Sequence, residues 1–214
     1  MKTSRSSHSQ SRPTSADRRQ RVPVNWGEAT QFKVPIPENE PERLAALQRY
    51  EILDTPREKV FDDITLLASM ICDTPIALLS LVDSDRQWFK SKVGLTTSET
   101  ARDVAFCAHA ILEPDLFVVR DATRDRRFAN SPLVTASPKI RFYAGAPLVT
   151  PQQHALGTLC VIDRRPRTLG RKQLDALRAL SRLAMRELEL RRELQELKHA
   201  TQKTRPSACG CGER

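Results

Sequence analysis

The segment IALLSLVDSDRQWFKSKV, residues 76–93, gives the clearest indication of the fold. Its first seven residues, Ile76–Val82, form a short continuous apolar run that ends at a polar turn, and this length favours a buried strand over a helix. Residues 87–93 follow the turn, which predicts the second strand of a hairpin. Trp88 and Phe89 should then face opposite sides of the sheet, because side chains alternate along a strand.

Further apolar stretches extend the predicted sheet. Residues 142–149 and 155–162 are separated by the polar turn TPQQH, residues 150–154, and therefore predict a second hairpin. Residues 116–119, LFVV, predict another strand. Strands joined mainly by hairpins imply a largely antiparallel sheet with helices on its faces, so the predicted fold class is α+β.

Helical periodicity appears on both sides of these strands. The first helix should begin near Asn39 or Glu40, with Pro41 in its first turn. Apolar residues at helical spacing predict a second helix over residues 60–71 and a third over residues 104–112. Residues 125–130 predict a short helix or turn. A long last helix should begin near Leu169 or Arg171 and continue to about residue 200.

The last predicted helix carries two apolar stripes. The first should cover the sheet and comprises Leu174, Leu177, Met185 and Leu188. The second fits the a and d positions of about three heptads and comprises Leu180, Leu183, Leu190, Leu194 and Leu197. One interpretation is a homodimer through residues 174–197. The other is a helix that packs on its own domain and frays beyond residue 192.

Charge divides the chain into three parts. The 214 residues carry a net charge of +9, yet residues 38–163 hold 14 basic against 18 acidic residues. The excess positive charge lies in residues 1–37 and 164–214. A DNA-binding domain concentrates basic charge on its folded docking surface, so this distribution speaks against nucleic acid as the main partner.

The same division predicts the domain organisation. Residues 1–37 are rich in serine and proline, which predicts a disordered basic arm. Residues 38–190 should form the folded domain, and residues 191–214 the helix end and a flexible tail containing Cys209 and Cys211. The sequence has neither an apolar run long enough to span a membrane nor a secretory signal, and its cysteine usage indicates a reducing compartment. The predicted location is therefore the cytoplasm.

Several segments, in order along residues 40–190, resemble one family. They are LAALQRYEILDTP (44–56), FDD (61–63), PIALLSLVD (75–83), DRQWFKS (85–91), FCAHAI (106–111), RFYAGAP (141–147) and LGTLCVID (156–163). They resemble the sensory GAF domains of bacterial histidine kinases, diguanylate cyclases and cyclic-di-GMP phosphodiesterases.

The resemblance implies a sensor or dimerising regulatory module. Its antiparallel sheet would carry a helical bundle on one side and a ligand pocket on the other, walled here by residues 106–112, 121–137 and 141–145. Related domains bind cyclic nucleotides, tetrapyrroles, haem or other small molecules, and some bind nothing known. The implied partner is a signalling protein such as a histidine kinase or a cyclic-di-GMP enzyme. No particular cofactor is indicated.

The candidate ligand-binding residues come from the implied pocket walls. They are Phe106, Cys107, His109, Asp121, Arg141, Phe142 and Tyr143.

Two of the candidates lie on the middle helix. Cys107 and His109 should point about 200° apart, so they do not both face one small ligand. The bilin-binding relatives attach pigment through a Cys followed directly by His, and the intervening Ala108 speaks against such attachment. The alternative roles are a buried thiol and a histidine that hydrogen-bonds within the domain.

Arg141 begins a strand that should line the pocket. With the aromatic residues that follow it, it could clamp an anionic or planar ligand through charge and stacking. Alternatively, Arg141 pairs with Asp121 or Asp103 and fixes the loop.

Three function classes follow. The chain lacks GGDEF, EAL, kinase-type glycine and phosphate-loop motifs, and its seven glycines are few for a phosphate cradle. The leading prediction is therefore a non-enzymatic module that senses a small ligand and relays the signal through its last helix. The second is a cysteine-dependent free methionine sulfoxide reductase, with Cys107 as nucleophile and Cys72 or Cys160 as resolving thiol. The third is tail-mediated binding to nucleic acid or acidic membrane.

Overall fold

The computed structural model describes residues 34–203. Most of the predicted basic arm and the tail with its two cysteines lie outside these described residues. Among residues 34–203, no helix combines the length and the apolarity that crossing a membrane requires.

A six-stranded antiparallel sheet forms the centre of the domain, in the order β3-β2-β1-β6-β5-β4. The strands are β1 Ile76–Val82, β2 Arg86–Val93, β3 Glu99–Ala101, β4 Phe117–Val119, β5 Phe142–Val149 and β6 Ala155–Asp163. Both predicted hairpins are confirmed, and the α+β class with them. The three-residue strand β3 was not predicted, because a short polar segment carries too little alternation to be recognised.

Within residues 34–203, five helices accompany the sheet: α1 Glu40–Arg49, α2 Lys59–Cys72, α3 Phe106–Ala110, α4 Pro132–Thr135 and α5 Arg171–Lys203. The predicted third helix is shorter than expected, because a 3₁₀ turn at Arg102–Val104 precedes α3. Residues 125–130 form turns, and the helix of this region lies further on as α4. Ser131 caps α4 by accepting a hydrogen bond from the Leu133 N–H at 3.3 Å.

The sheet separates two hydrophobic cores. On one face, α1, α2 and α5 cover a cluster that includes Trp88. On the other face, α3 and the loops around it cover a cluster that includes Phe89. The predicted division of these two aromatic residues between the faces is confirmed.

The long helix α5 buries the stripe predicted to cover the sheet. Leu177, Met185 and Leu188 are buried in the first core, and Leu174 packs against it half-buried. Leu180, assigned to the heptad stripe, is instead buried in the same core. The remaining members of that stripe are exposed: Leu183, Leu190, Leu194 and Leu197. The helix continues to Lys203, close to the predicted end near residue 200.

Candidate functional site

A cavity of about 50 Å³ lies within the second core, between the sheet and the segment that contains α3. Strands β1, β2, β3, β5 and β6 form its floor, and α3, α4 and the loops after β2 and α4 form its walls. Its lining comprises Leu78, Gln87, Phe89, Leu95, Thr97, Thr100, Phe106, Cys107, Leu133, Pro138, Ile140, Tyr143 and Ile162.

The cavity is small for a ligand site. Pockets for drug-sized ligands measure about 300–1,000 Å³, whereas a single water needs about 10–15 Å³. In this conformation the cavity therefore admits a few water-sized groups, and a larger molecule must push the walls apart. Apolar side chains dominate the lining, so a suitable occupant is compact and largely apolar.

Two buried polar atoms in the lining have no hydrogen-bond partner among the described residues. They are Oε1 of Gln87 and Oγ1 of Thr100, on residues that are 5% and 8% exposed. These residues pair with each other across β2 and β3. A buried polar atom left unpaired costs about 1–3 kcal/mol. A bound molecule that donates to Gln87 and bonds to Thr100 would recover this free energy.

Neither residue was among the predicted site residues. Gln87 lies two positions before the buried Phe89 on the same strand, so strand alternation places the two side chains on the same face. That placement was the available signal for a polar group aimed at the core. Thr100 gave no comparable signal because β3 itself was not predicted.

A cluster of thiols and hydroxyls surrounds Cys107 beside the cavity. The Cys107 sulfur accepts hydrogen bonds from Ser80 Oγ at 3.1 Å, Thr158 Oγ1 at 3.0 Å and Tyr143 Oη at 3.2 Å. The sulfur of Cys160 lies 3.9 Å from that of Cys107. All five residues are buried. Strands β1, β5 and β6 each place one hydroxyl toward α3, and β6 also supplies the second thiol.

The two neighbouring thiols differ in acidity. Burial alone would raise the pKa of Cys107, but the hydrogen bonds from Cys160 and the three hydroxyls outweigh it and lower the pKa to about 7. Burial and the neighbouring Cys107 raise the pKa of Cys160 well above its usual value. The negative charge is therefore most stable on Cys107 and the proton on Cys160.

Aromatic rings continue the site beyond the thiols. Phe106 stacks on Phe128 at 4.0 Å between ring centroids and on Tyr143 at 5.3 Å. His109 lies on the other side of α3, edge-on to Phe128 at 4.8 Å. Burial and the positive charge of Arg127 lower the pKa of His109, so its imidazole is held in the neutral form.

The structure separates the other predicted site residues. Phe142 lies on the opposite sheet face, in the first core. Arg141 donates to the backbone carbonyls of Val134 and Ile140, at 2.8 and 3.0 Å. These carbonyls, rather than the predicted Asp121 or Asp103, connect Arg141 to the loop. Asp121 lies on a surface loop and accepts a hydrogen bond from Thr123. Phe106, Cys107 and Tyr143 are thus brought together at the cavity, whereas Asp121, Arg141 and Phe142 lie outside its lining.

The site offers no set of metal ligands. Among residues 34–203, no three His, Cys, Asp or Glu side chains converge as a metal site would require. The chemistry of the cavity rests on the two thiols, the three hydroxyls, and the unpaired polar atoms of Gln87 and Thr100.

Comparison with known proteins identifies relatives of this domain. Residues 56–188 match the family model of the GAF domain. The chain is 45% identical over 152 residues to a cyclic di-GMP phosphodiesterase of Pseudomonas aeruginosa, a match that covers 71% of this chain. The chain spans about a quarter of that relative's length, 26%.

Solved structures share the fold at low sequence identity. A domain assigned to a two-component sensor histidine kinase of Sinorhizobium meliloti superposes with a TM-score of 0.55 and 17% identity, covering 68% of this chain and 99% of that one. A free methionine-R-sulfoxide reductase of Neisseria meningitidis, solved with its substrate, superposes with a TM-score of 0.53 and 15% identity, covering 76% and 99%. At these identities the likeness extends to the fold alone.

Proposed function

The chain belongs to the GAF domain family, and from that premise we propose that residues 38–190 form a non-enzymatic sensory module. The module binds a small ligand in the cavity beside α3 and relays the event through α5 to a signalling partner in the cytoplasm. The observation that carries this proposal is the pair of unpaired polar atoms, Gln87 Oε1 and Thr100 Oγ1, in an otherwise apolar cavity.

The cavity restricts the class of ligand. Its volume of about 50 Å³ and its apolar walls favour a compact, largely apolar molecule. The molecule should carry at least one hydrogen-bond donor, because the amide oxygen of Gln87 can only accept. Phe89, Phe106 and Tyr143 add aromatic surface on which a planar group could stack.

A chain of ionic contacts provides the proposed relay from β2 to α5. Gln87 and Phe89 line the cavity, whereas the next residue, Lys90, extends toward the other sheet face. The Lys90 ammonium contacts a Glu58 oxygen at 2.6 Å, and the same oxygen accepts from Arg191 of α5 at 3.0 Å. A ligand that displaces β2 would move Lys90 and thereby change the ion pair that holds α5.

The output surface is proposed to be a homodimer interface. Leu190, Leu194 and Leu197 expose apolar side chains along α5, and α2, which packs against α5, exposes Leu66 and Met70. These residues fit the interface with a second copy of the chain. The relative that is a cyclic di-GMP phosphodiesterase supports a cyclic-di-GMP enzyme as the class of signalling partner.

Native mass spectrometry of the protein purified from its own host tests ligand binding. We expect a small-molecule adduct on the wild-type chain that is lost in Gln87→Leu, which removes the acceptor and keeps the side-chain size. Gln152→Leu, in the exposed turn between β5 and β6, is the matched control and should retain the adduct. A wild-type protein free of adduct would overturn ligand sensing. An adduct retained by Gln87→Leu would overturn the assignment to this cavity.

A cysteine-dependent reductase is the second candidate, because Cys107 and Cys160 lie in sulfur–sulfur contact. The cavity is too small for free methionine sulfoxide unless its walls separate. We therefore expect no turnover of methionine sulfoxide with a thiol reductant. Turnover that disappears in Cys107→Ser would instead establish the reductase.

A further inference from the structure

The thiol pair beside the cavity has features that ligand binding does not require. Cys107 and Cys160 are both buried and reduced, with their sulfur atoms 3.9 Å apart. A disulfide bond measures about 2.05 Å, so a movement of about 2 Å would join the two sulfur atoms. Buried structural cysteines are ordinarily inert and surrounded by apolar groups. Here three hydroxyls converge on one sulfur atom instead.

The three hydroxyls make Cys107 the reactive member of the pair. Ser80, Tyr143 and Thr158 donate to its sulfur, and hydrogen bonds to a charged form favour that form. The thiolate is the nucleophilic form of cysteine. Burial and the neighbouring Cys107 raise the pKa of Cys160, so it keeps its proton while Cys107 is a thiolate. Oxidation of Cys107 removes that neighbouring charge, and Cys160 can then give up its proton and act as the resolving cysteine.

The cavity determines which oxidant can reach Cys107. Cys107 lines the cavity of about 50 Å³, which admits molecules of the size of a few waters. Hydrogen peroxide has two heavy atoms and satisfies this limit, whereas a disulfide such as oxidised glutathione does not. The apolar walls exclude charged oxidants for the same reason that they disfavour charged ligands.

We propose that Cys107 and Cys160 form a peroxide-responsive dithiol built into the wall of the cavity. This function does not rest on ligand binding, because it needs only the two thiols, the hydroxyls and access for peroxide.

The reaction proceeds in two steps. The Cys107 thiolate attacks one oxygen of hydrogen peroxide; an S–O bond forms, the O–O bond breaks, and hydroxide leaves and takes a proton from solvent. The Cys160 sulfur then attacks the sulfur of the Cys107 sulfenic acid as its proton passes to the sulfenic oxygen; an S–S bond forms, the S–H and S–O bonds break, and water leaves. In sum, two thiols are oxidised to a disulfide and one peroxide is reduced to two waters.

Oxidation would change the cavity itself. The Cys107 sulfur would move toward β6 and away from the buried hydroxyls of Ser80 and Tyr143. These hydroxyls would then depend on their longer contacts with the Thr158 hydroxyl, at 3.3 and 3.4 Å. Phe106, the neighbour of Cys107, stacks on Tyr143 and lines the same cavity. The oxidised and reduced domains should therefore present differently shaped cavities.

Peptide mapping after peroxide treatment tests the proposal. The full chain with Cys209→Ser and Cys211→Ser is treated with hydrogen peroxide, and remaining thiols are alkylated. We expect a Cys107–Cys160 disulfide that a thiol reductant reverses. In Cys160→Ser, dimedone should trap a sulfenic acid at Cys107. Cys72, whose pKa burial raises to about 11, is the internal control, and its oxidation should be more than about tenfold slower. If Cys107 stays reduced, or reacts no faster than Cys72, the proposal is wrong.

The pH dependence of the reaction separates a chemical role for the hydroxyls from a structural one. Tyr143→Phe removes one donor to Cys107, so the pH midpoint of Cys107 oxidation should rise while the disulfide still forms. Tyr50→Phe, which changes the other tyrosine of the chain, should leave the midpoint unchanged. A midpoint that is the same in Tyr143→Phe and in the wild type would refute thiolate stabilisation by the hydroxyls.

Discussion

Replacing Glu58 with glutamine should destabilise the domain more than removing the lysine that Glu58 binds. The Lys90 side chain has no exposed surface, and its ammonium donates to Glu58 and to the Pro56 carbonyl, both at 2.6 Å, and to the Thr55 hydroxyl at 2.9 Å. Glu58 is 38% exposed and also pairs with Arg191 at 3.0 Å. The lysine therefore depends on this ion pair far more than the glutamate does.

The difference in burial between Lys90 and Glu58 determines how much stability each substitution costs. Removing one partner of a buried pair costs about 3–5 kcal/mol, but Lys90 in Glu58→Gln would keep two neutral acceptors, so we expect a loss of about 2–3 kcal/mol. In Lys90→Met, Glu58 keeps Arg191 and solvent, and the new side chain packs near Phe61, whose ring centroid lies 5.5 Å from the ammonium. We expect this variant to lose about 1 kcal/mol.

The pH dependence gives the Glu58→Gln variant a signature. Burial lowers the pKa of Lys90 below 10.5 despite the opposing effect of Glu58, and without the carboxylate the pKa should fall further. Because the pKa of Lys90 is lower in the folded than in the unfolded protein, the folded protein loses this proton at a lower pH. The free energy of unfolding therefore rises with pH between the folded-state pKa and 10.5. This rise should be larger in the variant. The difference in free energy of unfolding between the wild type and Glu58→Gln should therefore become smaller as the pH increases from neutral toward 10.

The difference in stability between the wild type and Glu58→Gln should also become smaller as the pH falls into the acid range. Burial raises the pKa of Glu58, but hydrogen bonds from Lys90 and Arg191 outweigh it and lower the pKa below 4.5. The wild type therefore loses the stabilisation that Glu58 provides as the pH falls from 4.5 through the folded-state pKa, whereas the variant has none to lose.

Urea unfolding across this pH range measures the effect, since urea leaves charge interactions unscreened. Asp63→Asn is the matched control: it removes a carboxylate on α2 whose pair with Lys59 is exposed, and it should cost less than about 1 kcal/mol. If Lys90→Met lost as much stability as Glu58→Gln, the ion pair would not protect the lysine more than the glutamate. A loss of stability in Glu58→Gln that is the same at neutral and alkaline pH would likewise contradict the role of the Glu58 carboxylate.

Three further predictions concern packing and assembly. Gly157→Ala places a methyl group 2.0 Å from the Ser80 carbonyl oxygen and should cost about 3 kcal/mol or more in urea unfolding. Gly170→Ala meets no atom closer than 3.8 Å, but Gly170 caps α5, where alanine is disfavoured, so we expect a smaller loss of about 1 kcal/mol. Tyr50→Phe removes a buried hydrogen bond to Glu189, and because Arg192 still pairs with Glu189 at 3.0 Å, we expect a loss of about 1–2 kcal/mol by the same measurement. Leu194→Ser with Leu197→Ser should raise the dimer dissociation constant at least about tenfold by analytical ultracentrifugation, whereas Leu112→Ser, an exposed leucine just beyond α3, should not change it. A wild-type chain that sediments as a monomer at all concentrations would contradict the proposed dimer.

The resemblance of seven segments to GAF domains predicted the family before any contact was known, and the residue pattern predicted the antiparallel hairpins. The division of Trp88 and Phe89 between the two sheet faces followed from strand alternation. The stripe of Leu177, Met185 and Leu188 followed from helical periodicity. The last two predictions depend on spacing within one element, which a linear sequence displays directly.

The candidate site depended on contacts between distant parts of the chain. Cys107 and Cys160 are 53 positions apart and meet only because β6 lies beside β1 at the centre of the sheet, under α3. The residues 141–143 were predicted to act together, but strand alternation places Phe142 and Tyr143 in different cores.

The buried ion pair of Lys90 shows the same division between sequence and structure. A lysine on a strand is ordinarily expected at the surface, and nothing in the local pattern indicates that Glu58 and Arg191 cover this one. Local spacing in the sequence predicted most of the strands and helices, and the resemblance of seven segments predicted the family, because neither depends on contacts between distant residues. The packing of the elements determines which thiols, hydroxyls and charges share a low-dielectric environment, because burial and the distance between partners cannot be read from one segment.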